Sequence, residues 1–170
     1  EIARLTIEAP PETGKINSVD GRTLIWMLAL LHDMGKSDSW PQHIELSAQM
    51  LKIMLKRFGW NDKLIRLAAT LVNNHSLISR IGLGEDSYFG LKEFTRAANG
   101  VTVTDPSGEL IGKSQAFINI MGMLNIADIR GVGPGGKFTP EKLNAFVKFS
   151  RMTPEELEDK IKSPELRYTG

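Results

Sequence analysis

The chain carries three histidines, and one of them, His32, stands directly against Asp33 at the end of the apolar run Leu24 to Leu31. His43, His75 and Asp128 follow downstream, each on an otherwise apolar helical stripe. Imidazoles and carboxylates that point into a core need partners, because burying them unpaired costs several kcal/mol. A bound cation satisfies all five at once. Three imidazoles with two carboxylates form a mixed nitrogen and oxygen set, which suits Mn, Fe, Co, Ni or Zn better than Ca. One or two ions fit such a set. A carboxylate such as Asp33 can bridge two ions roughly 3.5–4 Å apart, the arrangement used in phosphoester hydrolysis, where the ions polarise a phosphoryl oxygen and supply hydroxide near neutral pH. Lys36, three residues past Asp33, is placed to neutralise phosphate charge.

Each of these residues also has a plainer reading. His32-Asp33 alone is compatible with a helix C-terminus stabilised by an imidazolium. His43 follows Trp40-Pro41-Gln42 and reads equally as part of the first turn of an exposed helix. His75 could be a satisfied core histidine, and Lys36 a surface lysine. Arg80 and Arg130 either line the substrate side or pair with surface carboxylates. The stretch Gly131 to Gly136 lacks the Gly-Lys-Ser/Thr ending of a phosphate loop and reads as a connector. The methionines at 27, 34, 50, 54, 121 and 123 read as core packing.

The elements that must position these groups are mostly helical. Asp20 is a good N-cap for a helix through Leu24, Ile25, Leu28 and Leu31, with Gly35 as a left-handed terminator. A second helix spans about Pro41 to Phe58, with Leu46, Met50, Met54 and Phe58 recurring every four residues until Gly59. Asn61-Asp62 open a third, in which Leu64, Ala68, Leu71 and Val72 face inward and His75 continues the stripe. Residues 82–90 are glycine-rich and read as a loop, and Leu91 to Ala98 as a short helix. Val101 to Thr104, a turn at Asp105 to Gly108 and Glu109 to Ile111 predict a two-stranded hairpin decorating the helices. Ser114 to Ile129 is the last core helix, with Phe117, Met121, Leu124 and Asp128 on one face. Thr139-Pro140 and the capping box at Thr153 start two further helices.

The ordered segments resemble the HD superfamily of metal-dependent phosphohydrolases. Leu30 to Lys36 looks like its signature, His43 to Ala48 its second histidine segment, Asn73 to Arg80 its third, and Leu124 to Pro134 its closing aspartate segment. The wording of the last three is most similar to the uridylyl-removing branch, the HD domain of bacterial uridylyltransferases, which removes a uridylyl group from a regulatory protein. The resemblance covers about residues 24–134 in pieces. It implies an all-α HD-domain helical bundle with a small β-hairpin insertion. His32, Asp33 and Asp128 would hold a principal metal, and His43 and His75 would complete a second site. Asp33 and Lys36 would act in catalysis, and Arg80 and Arg130 would contact phosphate. The substrate would be a phosphorylated small molecule, such as a nucleotide, or a nucleotidylated protein. The superfamily also carries a histidine on a preceding helix, and residues 1–31 contain none. With Glu1 as first residue, this reads as a piece of a larger chain, or else as a degenerate regulatory or interaction module. An accessory HD domain of a nucleic-acid-processing protein is a further alternative.

Length and composition bound the rest. With 170 residues, 41% hydrophobic and 24% charged, the chain suits one soluble domain. We expect an N-terminal loop over 1–19, preceded by a helix remnant or a short strand (Ile2 to Ile7), then the HD-type domain over 20–134 and accessory helices over 135–170. A net charge of +1 gives no support to direct nucleic-acid binding. No apolar stretch approaches the roughly 20 residues of a membrane span. The absence of cysteine excludes disulfides and thiolate chemistry, and fits a cytoplasmic location.

Overall fold

In a computed structural model, residues 2–38, 41–77, 80 and 92–131 are described, with isolated positions 148, 156 and 159 beyond them. The loop expected at 82–90, the glycine connector after Gly131 and the helix starts near Pro140 and Pro154 lie outside the described residues.

Helix α1 (Gly21–Leu31) begins where the Asp20 carboxylate accepts the Thr23 amide, as its N-cap chemistry predicts. Helix α3 (Asp62–Asn73) starts in the same way on Asn61, and buries Leu64, Leu67, Ala68, Leu71 and Val72. Helix α2 (His43–Arg57) lies between them in sequence, and Gly59 ends it in the left-handed conformation at φ 76°. The short α4 (Lys92–Ala97) is followed by the long α5 (Lys113–Gly131). Along α5, Ala116, Phe117, Ile118, Ile120, Met121 and Leu124 are all buried. An element apolar on nearly every side belongs at the centre of a bundle.

The predicted helical bundle with a small β insertion is what forms, but four local expectations are corrected. Residues 1–19 are not simply a loop. They supply strand β1 (Thr6–Glu8) and most of β2 (Ser18–Asp20), and β1 is the central strand of a three-stranded antiparallel sheet. Nor is the hairpin a free decoration. Its first arm, β3 (Thr102–Thr104), pairs with β1 in the register Ile7 to Val103, while the return arm bonds back through the Ile111 amide to the Val103 carbonyl at 2.8 Å. Ile7, Val19 and Val103 turn one face of the sheet into the core.

Gly35 is not a left-handed terminator. α1 ends at Leu31, and Gly35 lies within a 3-10 turn (Met34–Ser37) without positive φ. Finally, the buried stripe of α2 runs through Ser47, Ala48, Leu51 and Leu55, one position round from the expected Leu46, Met50, Met54 and Phe58, and Phe58 is 63% exposed. The cause is close approach. α2 packs on α3 and on the 3-10 turn, and small side chains at 47 and 48 allow the backbones to meet. Among the described residues, no helix is long and apolar enough to cross a membrane.

Candidate metal centre

Three elements converge at one end of the bundle. His32 caps the C-terminus of α1, His75 lies just beyond α3, and Asp128 lies in the last turns of α5. Their ligand-capable atoms all fall within 4.8 Å of one another. The two rings meet edge to face, with centroids 5.1 Å apart at 70°. His32 Nδ1 is 2.9 Å from the Ala29 carbonyl and His75 Nδ1 is 2.8 Å from the Val72 carbonyl. A carbonyl accepts only, so each Nδ1 carries the proton and donates it, and each Nε2 is left as a free base in the neutral ring. That is the arrangement by which proteins orient histidine ligands.

Asp33 adjoins the cluster. Its Oδ2 lies 3.4 Å from His32 Nε2 and pairs with the Lys36 ammonium. Its Oδ1 is buried with no hydrogen-bond partner, and His43 Nε2 stands 3.7 Å away, beyond hydrogen-bond reach. A buried, unpartnered carboxylate oxygen facing an imidazole suits a bound cation, because leaving it unpaired is costly. The donor set of imidazole nitrogen and carboxylate oxygen suits a divalent transition ion. The side chains of Asp33 and Asp128 are 27% and 24% exposed, so both carboxylates reach solvent.

The resemblance implies a second site completed by His43 and His75. The structure instead sets His75 against His32 and Asp128, and places His43, the first residue of α2, across Asp33. Lys36 is placed at Asp33. Arg80 is exposed, and the side chain of Arg130 lies outside the described residues. One contact escapes the sequence. The Ser47 hydroxyl, fully buried, accepts the Gly35 amide at 2.9 Å, and Gly35 touches the first turns of α2. A polar residue in register with Leu51 and Leu55 is the signal that could have found it.

Burial disfavours the His32 cation, but the hydrogen bond to Asp128 and the charge of Asp33 outweigh it, so its pKa is raised. That same bond to His32 lowers Asp128 against the opposing effect of burial. Burial lowers His75. In metal-free protein, the stability contributed by His32 is therefore fully present below about pH 6.5 and is lost as pH rises through its raised value. That of Asp128 is present above about pH 3.9 and is lost as pH falls through its depressed value. His75 subtracts stability as pH falls below about 6.5, where the unfolded chain takes up the proton first. An ion held by His32 Nε2 would have to displace its proton. Affinity for Co(II), measured by titration of chelator-treated protein, is thus expected to rise between about pH 6 and pH 8. Equal affinity at both would show that His32 gives up no proton to the ion.

Comparison with known proteins adds an independent line. The family model of the HD domain matches residues 11–106, a span that contains His32, Asp33, Lys36, His43 and His75 and stops before Asp128. Curated relatives include the bifunctional uridylyltransferase/uridylyl-removing enzymes of Zymomonas mobilis subsp. mobilis, 29% identical over 116 residues, and Erythrobacter litoralis, 29% identical over 139 residues. That of Rhodopseudomonas palustris is 27% identical over 116 residues. These alignments cover 68%, 79% and 68% of this chain, but only 11%, 13% and 11% of the relatives. The chain therefore spans a small part of the length of the proteins it matches. No solved structure gives a significant match.

Proposed function

The chain belongs to the HD domain family, and from that premise we propose that it is the metal-dependent phosphohydrolase part of a longer cytoplasmic protein, cleaving a phosphodiester bond to a nucleotidyl group. The observation that carries the reading is the convergence of His32, His75 and Asp128 beside a buried, unpartnered Asp33 oxygen. A nucleotidylated protein is the substrate we favour, because the similar proteins are named as uridylyl-removing enzymes. A phosphorylated small molecule is the simpler alternative.

When bound, a divalent transition ion supplies Lewis acidity and activates water at neutral pH. The residues of the chain do the rest. With their Nδ1–H groups held by Ala29 and Val72, His32 and His75 would turn Nε2 to the ion, His32 after giving up the proton it shares with Asp128. Asp128 and Asp33 bring the negative charge that retains the cation. The Lys36 ammonium, held at Asp33, would offset charge developing on the phosphoryl oxygens. His43, across Asp33, is suited to a second ion or to a proton of the leaving group.

Elemental analysis of protein purified without chelator tests this reading, together with hydrolysis of a generic phosphodiester and of a uridylylated protein. We expect one or two equivalents of Mn, Fe, Co, Ni or Zn. His43→Ala should keep one equivalent while lowering turnover by about 100-fold, the scale of one proton-transfer or electrostatic group. Absence of metal even after incubation with these ions would favour the second reading, a regulatory module that keeps the fold without turnover.

A further inference from the structure

We propose that Ser47 is a positioning residue for the metal centre, which keeps the Asp33 carboxylate facing the ion by taking over the capping of Asp33's own turn. The inference rests on the metal reading above and deepens it.

Asp33 occupies the N-cap of the 3-10 turn Met34–Ser37. An aspartate there ordinarily turns its carboxylate onto the amide two or three residues on, which otherwise lacks an acceptor. Asp20 does this on α1, accepting the Thr23 amide at 2.9 Å. Asp33 makes no such bond. The amide two residues on, that of Gly35, donates instead to the Ser47 hydroxyl at 2.9 Å, across twelve positions of sequence. Both partners are buried. The Asp33 oxygens are thereby released, Oδ2 toward His32 and Lys36 and Oδ1 toward His43.

Removing the hydroxyl leaves a buried amide without an acceptor, which is costly. The nearest way to satisfy it is for the Asp33 carboxylate to rotate back onto its own turn. The cost of losing Ser47 thus falls on metal affinity, although Ser47 touches no ligand atom.

The test compares Co(II) affinity of the wild-type chain with those of Ser47→Ala, Ser47→Cys and Ser47→Thr, alongside thermal melts of the metal-free proteins. Ser47→Ala should weaken Co(II) binding by about 10-fold or more, the range for an outer partner of a metal ligand. The visible Co(II) spectrum should change as a carboxylate leaves. Ser47→Thr should restore affinity whatever its added methyl does to the melt. Should Ser47→Ala not fold, Ser47→Cys, of similar size but with a poor acceptor, takes its place against Ser47→Thr. Equal affinities of wild type and the hydroxyl-less variant, or a Ser47→Thr as weak as that variant, would overturn the role of Ser47. A wild-type chain that binds no Co(II) would overturn the metal reading itself.

Discussion

Asp128→Ala is expected to abolish metal binding and phosphohydrolase activity together while leaving the helical fold intact. The carboxylate is the sole contribution of α5 to the cluster found among the described residues, which otherwise consists of two imidazoles. Without it, the negative charge near His32 and His75 is that of Asp33, already paired with Lys36. Loss of an outer partner of a ligand costs about 10–100-fold in affinity, so loss of the ligand itself should exceed about 100-fold. The fold should survive because α5 is held elsewhere. Phe117, Met121 and Leu124 are fully buried along the same face, each contributing about 1.5–3 kcal/mol by burial. The variant does lose the bond from His32 Nε2 to Asp128 Oδ1 at 3.2 Å, worth about 1–2 kcal/mol. Circular dichroism, a melt of the metal-free protein and elemental analysis separate these effects. Asp128→Asn, which keeps the shape and loses the charge, should also bind poorly. A variant that retains a full equivalent of metal would show that the ion sits elsewhere.

The matched HD span ends at residue 106, so Asp128 is joined to the histidines by geometry and by its place on an apolar face. That place was legible in the sequence. A carboxylate at spacing four, three and four with Phe117, Met121 and Leu124 needs a partner at the edge of the core, and His32 is the one it meets. The helices were legible for similar reasons, since Asp20 and Asn61 are capping residues with the expected partners. What escaped was whatever depends on contacts distant in sequence. The sequence offers a short strand ending at Ile7 only as an alternative, because three residues are too few to display alternation, and the pairing of Ile7 with Val103 is invisible locally. Helical spacing showed that His75 faces inward, but could not show which imidazole it would meet. On α2 hydrophobic spacing points to the larger residues as the core, whereas the small Ser47 and Ala48 are inside, because size there is limited by the turn packed upon them.

That close packing makes Gly35→Ala the second variant of large expected effect. A glycine after a helix invites an explanation by left-handed backbone, in which case alanine would cost about 1–2 kcal/mol by strain. Gly35 has no positive φ, so alanine can adopt its backbone conformation freely. The obstacle is space. A Cβ there would lie 2.5 Å from the His43 carbonyl oxygen, 2.7 Å from the Leu46 Cβ and 2.9 Å from the Ser47 amide nitrogen. None of these is the tip of a flexible side chain that could swing aside. The turn and α2 must separate, at about 2–3 kcal/mol for overpacking, or a melting temperature lower by roughly 5–10 °C for a domain of this size. Separation also stretches the bond from the Gly35 amide to Ser47 and moves His43 away from Asp33, so Co(II) affinity should fall along with stability. Gly108→Ala is the control. Gly108 sits at φ 85°, and a Cβ added there would meet nothing within 4 Å, so alanine should lower the melt by backbone strain and leave Co(II) affinity untouched. If Gly35→Ala lost only stability, as Gly108→Ala should, the turn and α2 would not be setting the geometry of the centre.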